Sequence, residues 1–229
     1  MTGVQTCALP IYKRAPRLVL REQGSSLSLA EVEEVQKHLS QLNAQTEKTA
    51  QLSFLKGIDH LLLQDLSAAI STLTEAIERD PSFTLAYFAR SIASLRRSEA
   101  ERGRPVEQST PSTPQVRAAA TGAKGTTPAD LPLPAPTPAR VVEYSPLTDL
   151  NQVITQAPTF AFAYYNRANL YAKTGDVERA KQDYTKAIEL NPLFAESYFN
   201  RGLLYYSEGK VKEGTRDLSR AGELGLYKA

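Results

Sequence analysis

The chain has 229 residues and carries 27 Lys and Arg against 25 Asp and Glu, a formal net charge of +2. With a sequence pI near 8.6 and no basic stripe, that balance does not argue for nucleic acid as a partner. No apolar run reaches the roughly 18 residues that a membrane-crossing helix needs, so no transmembrane segment is expected in this stretch.

Residues 2–11, TGVQTCALPI, resemble one reading frame of a common sequencing adapter, and Met1 is the only methionine. They are expected to be foreign to the natural sequence, which leaves the natural N-terminus unseen. Cys7, the only cysteine, goes with them. Cysteine usage therefore says nothing about redox compartment, and cytoplasmic and periplasmic locations both stay open. Residues 12–27 show no period and are expected to be irregular or extended. At Ser28 the pattern changes. Ser28 and Glu31 have the spacing of a capping box, and Leu29, Val32, Val35, Leu39 and Leu42 then recur every three or four residues, which predicts an amphipathic helix over 28–47.

From residue 50 the chain repeats. Residues 161–194 laid over 195–229 match at Tyr164 and Tyr198, Arg167 and Arg201, Ala168 and Gly202, Tyr171 and Tyr205, Gly175 and Gly209, and Ala187 and Ala221, an offset of 34. Stepping back from Pro192 reaches Pro158, and Pro81 marks the end of a unit over 50–83 with Gly57, Ala69, Leu73 and Ala76 in register. A further unit begins at Thr84, where Tyr87, Arg90 and Ser91 repeat Tyr164, Arg167 and Ala168, but it then gains 43 residues before the pattern resumes near Tyr144. The extra run, about 100–142, holds eight of the 14 prolines among Ser, Thr, Ala and Gly. It is expected to be a disordered, partly polyproline insertion, within a second unit spanning 84–160, that cannot bury enough apolar surface to offset its ordering entropy. Surface loops accept such insertions at little cost.

A 34-residue period with aromatic, small and proline residues at these offsets is similar to the tetratricopeptide repeat family. The resemblance implies an all-α solenoid of helix-turn-helix units, a right-handed superhelix in which each unit contributes a helix A and a helix B. Small residues let the two helices approach, tyrosines fill the space between them, Gly175 and Gly209 end helix A, and prolines end helix B. No unit buries its own face, so stability depends on neighbours.

Where leucine is usual on helix A, this chain has Arg90, Arg167 and Arg201, and the antiparallel hairpin brings them opposite Asp149, Asp183 and Asp217. Three structural ion pairs are expected; in the first unit Lys56 faces Thr72 instead. The resemblance also implies a concave groove lined by helix A, here Phe54, Ile58, Phe88, Ile92, Phe162, Tyr165, Asn169, Phe199, Leu203 and Tyr206, with Arg96 and Lys173 at its margin. Relatives that clamp a terminal carboxylate have lysine and asparagine at the fifth and ninth positions of the first unit. Phe54 and Ile58 stand there, so the expected ligand is an apolar protein or peptide segment.

No catalytic constellation, metal set or cofactor motif is expected. His38 and His60 read as packed histidines. TGAKGTT at 121–127 lacks the Gly-Lys-Thr order of a phosphate loop. Ser-x-x-Lys occurs twice, at Ser53 and Ser207, on repeat helices where it means little. A protein-interaction scaffold without enzymatic activity is the reading these features support; the recognition arm of a larger enzyme or sensor, and a homo-oligomerisation module, stay open as alternatives.

Overall fold

Helix ends set the register of the whole chain. The computed structural model describes residues 27–102 and 145–226. The adapter-like residues, the segment expected to be irregular up to residue 26, and the insertion from residue 103 onward lie outside them. The described residues form α1 (Leu29–Asn43), α2 (Ala50–Leu62), α3 (Leu66–Arg79), α4 (Thr84–Arg102), α5 (Pro146–Gln156), α6 (Ala161–Lys173), α7 (Val177–Leu190), α8 (Ala195–Ser207) and α9 (Val211–Glu223). Helices α2 to α9 pair into four antiparallel hairpins, each an A helix followed by a B helix.

Local chemistry explains the boundaries. At α1 the Ser28 amide donates to Glu31 Oε2 at 2.9 Å while the Glu31 amide donates to Ser28 Oγ at 3.4 Å, so the capping box is closed. Thr49, Asp65 and Asp176 cap α2, α3 and α7 by accepting a backbone N–H with their side chains. The B helices stop at Asp80, Ala157 and Asn191, which are driven to ψ of 92°, 75° and 90° by the proline that follows each. The A helices of the third and fourth units turn through Gly175 and Gly209 at φ +82° and +75°. In the first unit the equivalent residue is Gln64, which holds φ +62° without being glycine.

The second unit's A helix does not break at residue 100 but continues to Arg102, six residues longer than the 13-residue A helices around it. Ser98 stands at the place of Gly175 and Gly209, so no glycine turns the chain there, and along the extra turns Ser98 Oγ donates to the Leu95 carbonyl, Arg97 pairs with Glu101, and Lys173 of α6 pairs with Glu99.

Val35, Leu61, Leu73, Ile92, Leu150 and Val153, all fully buried, form the main core across α1 to α5. Each such side chain contributes about 1.5–3 kcal/mol of burial. Close approach within a hairpin depends on small residues. A Cβ added at Gly57 would stand 2.5 Å from Leu73 Cγ, so α2 and α3 cannot meet at this distance with anything larger.

The left-handed Gln64 gives a direct test. Gln64→Gly should relieve the strain of a side chain at positive φ and raise stability by roughly 0.5–1 kcal/mol in urea unfolding. An unchanged or lower midpoint would mean that the Gln64 side chain compensates for its backbone.

Candidate protein-interaction surface

The polar framework begins with the arginines. Arg90 donates from Nε and Nη2 to the two carboxylate oxygens of Asp149 at 2.8 and 2.7 Å. Arg167 does the same to Asp183 at 2.7 and 2.8 Å, and Arg201 to Asp217 at 2.7 and 2.9 Å. These are two-pronged contacts in which the planar guanidinium matches the carboxylate. Those of the third and fourth units lie between tyrosines, Arg167 sitting 5.7 Å from the Tyr164 ring and 6.0 Å from Tyr171 and Arg201 5.9 Å from Tyr198 and Tyr205, while Arg90 has Tyr87 alone at 5.7 Å. The hydrogen bonds that Arg167 donates to Asp183 hold its guanidinium above its ordinary pKa, against the opposing effect of burial. It remains a cation at any working pH.

Each arginine has a third attachment that sequence reasoning missed. Nη1 reaches the B helix of the preceding unit, donating from Arg90 to Thr74 Oγ1 at 3.1 Å, from Arg167 to Asn151 Oδ1 at 2.8 Å, and from Arg201 to Thr185 Oγ1 at 2.8 Å. One side chain thus joins its own hairpin to the one before. The signal was present, because Thr74, Asn151 and Thr185 occupy the same place in successive units and all carry an acceptor oxygen.

A second missed series runs through the last residue of each unit. Phe83 packs on Phe54 with ring centroids 4.8 Å apart, Phe160 on Phe88 at 5.0 Å, and Phe194 on Tyr165 at 4.7 Å and on Phe162 at 4.9 Å. These phenylalanines seat the chain as it crosses from one unit to the next, and their recurrence was also legible in the 34-residue frame.

The expected groove is only partly a surface. Ile58, Phe88, Ile92 and Asn169 are 8%, 3%, 0% and 5% exposed, so the structure removes them from the ligand-facing set. The reason is that the end of their own unit and the next unit cover them: Phe160 at the close of the second unit lies on Phe88, Ile92 shares a core with Ala163 of the third, and Asn169 Oδ1 accepts from Tyr184 of its own hairpin and from Asn200 of α8. Phe54 is half-buried under Phe83. Arg96, expected at the margin, is buried too, and burial lowers its pKa. Phe162, Tyr165 and Phe199 remain half-exposed, while Leu203 and Tyr206 are 46% and 39% exposed. The accessible apolar row therefore belongs to the third and fourth units. His38, read from sequence as packed, is buried against α2 with Nδ1 2.7 Å from Asp59 Oδ2, a joint between α1 and the first unit that sequence reasoning also missed.

The geometry defines a class: an all-α solenoid of stacked helical hairpins. Family models of the tetratricopeptide repeat match residues 161–194 and 183–214. Among solved structures, a crystal structure of MamA is 17% identical with a TM-score of 0.56, covering 86% of this chain and 88% of that one. MamA 41-end from Desulfovibrio magneticus RS-1 is 15% identical with a TM-score of 0.59, covering 93% and 92%. YrrB, described as a TPR protein with an unusual peptide-binding site, is 11% identical with a TM-score of 0.57, covering 87% and 82%. No curated protein matches in sequence. Residues 161–214 carry the tetratricopeptide repeat, and the described residues share the fold of these repeat structures.

The buried Arg90–Asp149 pair, 6% and 3% exposed, is the sharpest test of the framework. Asp149→Ala would leave a buried guanidinium without its carboxylate and should cost about 3–5 kcal/mol in chemical unfolding. Adding Arg90→Met should recover much of that loss. A double variant as unstable as the two single losses combined would show that the pair does not act as a unit.

Proposed function

We propose that the chain is a protein-interaction scaffold that receives an apolar protein segment on the row formed by Phe162, Tyr165, Phe199, Leu203 and Tyr206. The observation that carries this reading is the exposure of Leu203 and Tyr206 beside half-exposed Phe199. These three stand at spacings of four and three residues, on one face of α8. Aromatic and aliphatic side chains so placed supply most of the binding energy at protein interfaces. The peptide-binding site ascribed to YrrB supports the same use of this fold. Phe54 and Ile58, in place of the lysine and asparagine of carboxylate-clamping relatives, favour an apolar segment over a charged chain terminus. The arginines serve the stack rather than catalysis, since each is already held by an aspartate on its own hairpin.

Affinity capture with the wild-type chain and with a Phe199→Ala, Leu203→Glu double variant tests the surface. Circular dichroism would establish that the variant stays folded. A partner retained by the wild type should be recovered at least tenfold less with the variant, since loss of one aromatic anchor alone costs on the order of 2 kcal/mol. Equal recovery would remove this row as the binding site.

A further inference from the structure

Helix α1 stands in the register of a B helix without the A helix that accompanies every other one among the described residues. Val35, Leu39 and Leu42 occupy the places of Ala69, Leu73 and Ala76 in the 34-residue frame. In the first three hairpins the residue at the place of Leu39 is sealed, with Leu73 and Leu150 0% exposed and Tyr184 2%. Leu39 is only half-buried, as is Val32, and Leu29 on the same side of α1 is 77% exposed. Val32, Gln36 and Leu39, four and three residues apart, form one wall of an open groove of about 460 Å³. Leu63 and Asp65, at the turn of the first hairpin, stand in the other.

The chain's own path points to what covers this groove. It enters α1 through Leu27, which lines the groove and packs against the main core. The residues just before it, outside the described ones, therefore set out from the groove itself. They hold one apolar cluster flanked by cations, Arg17-Leu18-Val19-Leu20-Arg21, followed by Gly24, Ser25 and Ser26. Leu20 lies seven residues before Leu27, an extended reach of up to about 23 Å that lets the cluster turn back over α1. Side chains two apart share one side of an extended stretch, so Leu18 and Leu20 can face the groove together. Charge is complementary as well. Residues 12–26 carry Lys13, Arg14, Arg17 and Arg21 against Glu22, while Asp65 lies in the groove wall and exposed Glu33 stands one turn before Gln36.

We propose that residues 17–21 lie back over this groove as an extended strap, with Leu18 and Leu20 seated between Leu39 and Leu63 and with Arg17 and Arg21 directed at Glu33 and Asp65. The strap does for α1 what an A helix does for each B helix of the hairpins, and it closes this side of the array with the chain's own sequence. It leaves the row from Phe162 to Tyr206 untouched. A second copy fits the groove less well, because its own α1 would set Glu33 and Asp65 against the same acids, whereas the strap is opposite in charge and held nearby by its tether.

The test uses the full chain with Cys7→Ser, Val19→Cys and Gln36→Cys, treated with a short bismaleimide at low protein concentration and read by mass spectrometry. Intramolecular product should form at least about tenfold faster than in the same chain carrying Leu18→Asp, because a seated strap holds the two thiols together beyond what the tether alone provides. Circular dichroism establishes that the helices are kept in both. Arg17→Glu together with Arg21→Glu should slow the reaction several-fold at low salt, where exposed charges are least screened. Equal rates with and without Leu18→Asp would overturn the strap. A rate indifferent to the two arginine substitutions would overturn its charged register. Cross-links formed chiefly between two chains would overturn it in favour of a second copy.

Discussion

A single guanidinium per unit does two jobs from the second hairpin onward. Nε and Nη2 close the helix pair on an aspartate, while Nη1 holds that pair to the one before it, as in Arg167 with Asp183 and Asn151. An ammonium group lacks the planar fork that places two parallel bonds on one carboxylate and leaves a third donor for the neighbouring helix. The first unit shows what its absence requires. Lys56 stands at that place, and the hairpin is joined to α1 through buried His38 and Asp59. Tyrosine rings 5.7 and 6.0 Å from the Arg167 guanidinium complete the site.

Because units touch only their neighbours, burial is decided by position in the array as much as by residue type. The ninth residue of helix A is core in three units and surface in the fourth. The stripe that packs against a neighbour in the interior is left exposed in the fourth described unit, where Leu203 is 46% exposed.

Much of this was legible because a fixed period turns sequence distance into spatial relation. Arg90 and Asp149 are 59 residues apart in the chain, yet the 34-residue frame places both on one hairpin across the inserted run. The capping residues, the glycine turns and the proline stops are local signals that act through backbone dihedrals, so they could be read one by one. Burial could not. Phe88 and Ile92 look like ligand-facing residues when helix A is considered alone, and Phe160 at the end of the same unit and Ala163 of the next one make them core. The acceptors at Thr74, Asn151 and Thr185 stayed hidden for the same reason, since they serve the following unit rather than their own. The extra turns of α4 bring Glu99 to Lys173, a contact 74 residues distant that no local pattern encodes.

Coupling between units through the arginine is best measured by native-state hydrogen exchange on an Arg201→Met variant. If Arg201 joins the fourth hairpin to the third, amides of α8 and α9 should exchange through a local opening of much lower free energy, while α2 to α5 keep their protection. Protection that falls equally in all helices, or not at all in α8 and α9, would contradict a joint carried by this side chain.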